Sequence, residues 1–229
     1  MGILELKDPV WFYRLDILIQ FFGTIVATFI AYYTYKAYRL TSKKTYLYLS
    51  VAFGLLALNL LVYAIAIPLL AIYYVGSGFI TNLLPMSTLL LGVKVLNALY
   101  VFSILAAYTL LIFAYSNALE RRIITFLTTL FILLLSISSV YLYKIIPFET
   151  SVAFNVVSLI LIGTIIYYTY NNYARKKNKN TLFVLSAFVL IGLYHLLTLL
   201  EGFGNMFFLA GHFAQLLGYI SLLLVVYKH

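Results

Sequence analysis

AYYTYKAYR, residues 31–39, and IYYTYNNYAR, residues 166–175, carry the same YYTY tetrapeptide 135 positions apart, each time at the edge of a basic run. What surrounds the two copies decides the fold. Long stretches of the chain hold no charge at all: Thr45–Val93, Val95–Leu119, Ile123–Tyr143, Thr150–Ala174, Asn180–Leu200 and Gly202–Tyr227. Each reaches the ~18–20 residues a helix needs to cross a ~30 Å hydrocarbon layer. Hydrophobic residues make up 65% of the chain and the mean hydropathy is +1.05. Ordinary soluble domains are roughly 45–50% apolar, and a water-soluble fold has no way to bury this excess. The sequence therefore predicts an all-α integral membrane protein.

Polar breaks divide the apolar runs into seven predicted spans, at about 11–38, 45–74, 87–116, 121–144, 150–174, 181–201 and 205–227. Three connections are basic: Lys36, Arg39, Lys43 and Lys44, then Arg121 and Arg122, then Arg175, Lys176, Lys177 and Lys179. With Lys228 they place 11 of the 15 Lys and Arg on one side, while Glu5, Asp8, Asp16, Glu149 and Glu201 fall on the other. Lys and Arg mark the cytoplasmic face, so the N-terminus is expected outside and the C-terminus inside, in the cell membrane. The net charge of +9 is then a topology signal, with the lipid bilayer as partner and nucleic acid excluded. Both YYTY copies sit at cytoplasmic span ends, where tyrosine keeps its ring in lipid and its hydroxyl in water.

The echo continues past the tyrosines. Tyr32–Val62 set against Tyr167–Leu197 gives 12 identities in 31 positions, and fixed-period similarity is the mark of a repeat. AAYTLLIFAY (106–115) matches LGYISLLLVVY (217–227) more loosely. The first and fifth spans enter from the same side, so two parallel three-span units need one extra crossing between them. The expected plan is 3+1+3: residues 1–117, a linking span in 118–146, and residues 147–229, related by an axis along the membrane normal.

Ionisable and amide groups inside spans are costly and point to function. Asp16 and Gln20, with Thr24 and Thr28, form a stripe at i+4 spacing. Lys94 and Asn97 lie one turn apart in the third span, and Asn155 lies near the start of the fifth. His195 and Glu201 occupy the sixth span, and His212 and Gln215 the seventh. Most fall in the predicted outer half. They predict an outward-open polar pocket for a small ligand or ion, with Lys94 neutralising Asp16 or Glu201.

No catalytic motif is present, and no cofactor is expected. With no cysteine, disulfides, iron–sulfur clusters and thiolate metal sites are excluded. Two histidines and an acid are ligands a zinc ion accepts, but H-E-x-x-H is missing, so a metal-dependent membrane hydrolase ranks last and metal binding stays open. MGILELKD has no basic n-region and does not read as a cleavable signal peptide. Frequent Ile, Tyr and Lys suggest a thermophilic source.

YKAYRLTSKKTYLYLSVAFGLLAL (35–58) and GHFAQLLGYISLL (211–223) resemble the first cytoplasmic turn and the closing helix of seven-helix membrane input modules of prokaryotic sensor proteins. With no kinase or cyclase sequence after His229, that resemblance implies signalling through a membrane or cytoplasmic protein partner. The 3+1+3 plan resembles SWEET and PQ-loop carriers in architecture, but none of Pro9, Pro68, Pro85 and Pro147 is followed by Gln. Microbial rhodopsins hold retinal on a lysine in mid-helix; the last span here has none before Lys228. A receptor or sensor is the leading expectation, ahead of a small-solute carrier or ion conduit and a non-catalytic subunit of a membrane complex.

Overall fold

The structure, a computed structural model, describes residues 10–75, 86–116, 147–200 and 203–227. Six helices account for them: α1 (Val10–Thr41), α2 (Lys44–Val75), α3 (Met86–Tyr115), α4 (Pro147–Lys176), α5 (Lys179–Leu199) and α6 (Asn205–Tyr227). Five contain segments long and apolar enough to cross a membrane, and α3 adds the shorter apolar segment Leu99–Tyr115. The secondary structure of the described residues is thus all helical, and the chain is a multi-pass membrane protein. The predicted span at 121–144 lies outside the described residues. Observed ends match the predicted ones within a few residues. The first, fourth and fifth helices gain length in the polar turns, because helix ends extend past the apolar run into water.

The helices close into a ring in chain order, with α6 packing back on α1. Direction follows from paired contacts. Tyr63 meets Tyr100, with ring centroids 5.4 Å apart, and Tyr48 meets Phe113 at 6.1 Å, so α2 and α3 are antiparallel. Gly218 lies against Ala187, and Gly211 against Tyr194, so α5 and α6 are antiparallel too. A shared level of packing, described below, places α1, α3, α4 and α6 in one direction and α2 and α5 in the other. Lys36, Arg39, Lys43, Lys44, Arg175, Lys176, Lys177 and Lys179, all exposed, therefore gather at one end of the ring, around the α1–α2 and α4–α5 turns.

Those two turns have the same backbone. Among the described residues Ser42 and Lys177, 135 positions apart, are the non-glycine residues with positive φ, at 53° and 48°. Each donates its N–H to the carbonyl four residues back, Tyr38 at 2.8 Å and Tyr173 at 2.7 Å. This is the left-handed helix cap, usually given to glycine; any other residue pays about 1–2 kcal/mol for it. Two residues further on, each chain is helical again. Below the turns, Thr34 bonds the carbonyls of Ile30 and Ala31, and Thr169 those of Ile165 and Ile166. Tyr32 stacks edge-on against Tyr33 at 5.5 Å, and Tyr167 against Tyr168 at 5.6 Å.

Burial follows the same register. Ala52 and Ala187 are both fully buried, as are Phe53 and Phe188, Ala27 and Ile162, and Ile30 and Ile165, nearly so or completely. Between α3 and α6 the constant step is 111, pairing buried Tyr108 with Tyr219 and Leu111 with Leu222. At the ring's centre a cavity of about 20 Å³, room for about one water molecule, is lined by such pairs. Phe53 and Phe188, Leu56 and Ile191, Tyr108 and Tyr219, and Leu111 and Leu222 all face it, with Val26, Ala27 and Ile30 from α1.

Close approach between helices comes from small residues, as bilayers offer no hydrophobic drive to bring helices together. Gly211, Ala214 and Gly218 make a seam on α6. At Gly218 an added Cβ would stand 3.1 Å from the Ala187 carbonyl oxygen. At Gly23 an added Cβ would run into the Tyr219 ring, so α6 touches α1 only because position 23 has no side chain.

Candidate functional site

Phe188 lies nine residues into α5, about 14 Å from its basic end, and His195 about 24 Å from it at ~1.5 Å per residue. The first level is the apolar cavity. The second is a polar and aromatic layer towards the opposite end of the ring, to which Asn155, His195 and His212 belong.

His195 is its centre, only 1% exposed. Tyr108 Oη donates to His195 Nε2 at 2.9 Å, and His195 Nδ1 faces Asn155 Oδ1, also at 2.9 Å. The amide oxygen only accepts, so the proton sits on Nδ1 and the bonds run one way: tyrosine to imidazole to amide. Three helices meet in this chain, α3, α5 and α4. It ties the first three helices to the last three through a buried side-chain bond.

Rings extend the layer sideways. Tyr63 contacts Tyr100, Tyr100 contacts Phe154 at 5.9 Å, and Phe154 contacts His195 at 6.0 Å. Tyr194 lies 5.0 Å from His195 and 5.3 Å from His212, which in turn lies 4.1 Å from Phe208. An unbroken file of rings therefore passes from α2 through α3, α4 and α5 to α6. Phe154–His195 and Tyr194–His212 meet edge-to-face and the other pairs are tilted; aromatic pairs contribute about 0.5–1.5 kcal/mol each beyond area burial.

On α6, His212 Nδ1 donates to the Phe208 carbonyl at 2.9 Å, which fixes its ring. Gln215 Nε2 donates to Tyr219 Oη at 2.8 Å, whereas Gln215 Oε1 is buried without a hydrogen-bond partner among the described residues. Asn59 Nδ2 and Ser158 Oγ share that condition. A buried polar group left unmet costs about 1–3 kcal/mol, so these three atoms are where a water or another polar group would be gained.

No protein-family model matches the chain, and comparison with curated proteins and with solved structures finds no significant relative.

Of the predicted site residues, Gln20, His195, His212 and Gln215 are all buried. His195 joins the chain of bonds, and His212 joins it through Tyr194. The side chains of Asp16, Lys94 and Asn97, and the whole of Glu201, lie outside the described residues. Among the described residues no three of His, Cys, Asp and Glu come together as metal ligands do. The α1 stripe twists off the interior: Gln20 is 3% exposed, Thr24 is half-buried and Thr28 is exposed. Four residues overshoot a 3.6-residue turn, so an i+4 row drifts around the helix. Thr24 and Thr28 bond the carbonyls four residues back, of Gln20 and Thr24. Sequence reasoning missed Tyr108 as a site residue. Its match to Tyr219 in the 106–115 and 217–227 comparison was the available signal.

Proposed function

We propose that this protein is a seven-helix membrane receptor or sensor, with its N-terminus outside and its C-terminus in the cytoplasm of the cell. Its ligand, a small molecule or ion, enters from the outer face and engages the layer around His195. The observation that carries this reading is the Tyr108–His195–Asn155 chain. A ligand that competes for any of these groups changes a bond joining the two halves of the ring, and a local binding event becomes a shift of α3 against α5. The half-met Gln215 amide is a partner offered inside, and the sequence pattern of Asp16, Lys94, Asn97 and Glu201 supports a polar entrance to it. Signal then passes to a membrane or cytoplasmic protein. Residues 121–144 supply the seventh crossing, as α3 ends and α4 begins at opposite ends of the ring, and the two three-helix units are copies of one ancestor. A ligand panel scored by melting temperature of the purified protein tests the reading. At least one small solute should raise the melting temperature, and Asn155→Leu and Gln215→Leu, folded in its absence, should lose that rise. A panel of sugars, amino acids, nucleosides and inorganic ions with no shift would sink it.

A second reading, a small-solute carrier, is favoured by the cavity lined by equivalent pairs from both units, as expected where two repeats rock about a central site. Solute flux into proteoliposomes, slowed by Phe53→Trp or Phe188→Trp, would support it over the receptor.

A further inference from the structure

The basic end offers a separate surface, and its reading does not depend on that of the polar layer. Lys36, Arg39, Lys43 and Lys44 surround the α1–α2 turn, and Arg175, Lys176, Lys177 and Lys179 the α4–α5 turn; all eight are exposed. Asp16 and Glu149 lie near the starts of α1 and α4, at the other end of the ring. Among the described residues, then, no acid neutralises the basic end. In the ring, α3 separates the two hairpins on one side and α6 on the other, so the cations form two clusters facing each other across it. Each cluster stands over exposed tyrosine rings, Tyr32 and Tyr35 in one case and Tyr167 and Tyr170 in the other. Tyrosine rings of this kind settle where acyl chains meet headgroups. The cations one turn beyond them are then at the depth of the lipid phosphates, and turns only two residues long hold them there.

We propose that each turn is a docking site for the headgroup of an anionic phospholipid, so that one chain holds two such lipids on opposite sides of the ring. Neutral lipids offer the tyrosines the same acyl boundary but leave four cations per site without a net counter-charge. Near an anionic surface each Lys or Arg is worth roughly fivefold in affinity.

Native mass spectrometry of the full chain, extracted from bilayers of equal phosphatidylglycerol and phosphatidylcholine, tests this directly. Two phosphatidylglycerol molecules should stay bound in preference to phosphatidylcholine. The quadruple variant K36Q/R39Q/K43Q/K44Q should retain one, R175Q/K176Q/K177Q/K179Q the other, and the combined variant neither. If a variant fails to fold, the unaltered chain still decides the matter: raising salt should release the bound lipid, since exposed charge attraction is screened. Equal retention of the two lipids, or retention indifferent to salt, overturns the proposal. So does displacement by glycerol phosphate at the lipid's own concentration, which would make the site one for soluble phosphate. Displacement by an acidic peptide at that concentration would likewise assign the surface to a protein partner.

Discussion

Helices α1–α3 and α4–α6 share turns, threonine bonds and an interior register, yet one level is filled differently in the two halves. Where the second half has His195, the first has Leu60 at the step of 135. Where it has His212 and Gln215, the first has Val101 and Ile104 at the step of 111. All six are buried. The first half closes its side of the ring with aliphatic side chains at these three positions, so the packing plan does not require polar ones. Histidine and glutamine there bring desolvation costs that leucine and isoleucine avoid. At these three positions, then, polarity in one half alone goes beyond what packing the ring requires.

The sharpest way to break the comparison is at a packing contact. Gly23→Leu puts a side chain where the Tyr219 ring lies; several kcal/mol should be lost, above the ~1–3 kcal/mol of ordinary overpacking, with no folded monomer on gel filtration. Gly163→Leu, with nothing within 4 Å of an added Cβ, should fold normally. Next comes His195→Leu, which gives the second half the first half's residue. It strands Tyr108 Oη and Asn155 Oδ1, and at about 1–3 kcal/mol per stranded group the thermal midpoint should fall by several degrees. Leu60→Ala should cost about 2–5 kcal/mol for a different reason, the cavity it leaves; a small apolar molecule should rescue that variant and not His195→Leu.

Smaller effects sharpen the picture. Tyr108→Phe should cost about 0.6–1.7 kcal/mol, the range for interhelical hydrogen bonds in membranes. Its double-mutant cycle with His195→Leu should show coupling of similar size, whereas the cycle of Tyr219→Phe with His195→Leu should show much less. At the turns, Asn178 caps α5 by accepting from Thr181 N at 2.8 Å, while Lys43 at the matching place has no such side chain. Asn178→Ala should lose about 1 kcal/mol and Lys43→Asn should gain a few tenths to 1, both read from chemical unfolding in detergent.

Helix positions were legible because uncharged runs of twenty or more residues admit one reading in a bilayer. The gathering of cations at one end was equally plain, since charge cannot be hidden in lipid. The ring was not: period and polarity tell that a helix has an inner face, but not which neighbour it meets. Gly23 carried no visible signal, because its role depends on Tyr219, almost two hundred residues away. Within the site, His195, His212, Gln20 and Gln215 stood out as polar residues in apolar runs and are indeed buried. Tyr108 did not, because tyrosine is so common in this chain that one more ring read as belt or core. Thr24 and Thr28 misled in the opposite direction, since a threonine in a helix satisfies its hydroxyl on its own backbone.

The two-residue turns at Ser42 and Lys177 bear on how the chain reaches its membrane. A turn that short leaves no slack for one helix to cross while the next waits in water. Each YYTY-bearing helix and its successor are thus held as one hairpin unit with the cations at its tip. The single left-handed residue that shapes each turn, Ser42 in one and Lys177 in the other, thereby ties the placement of one span to that of the next.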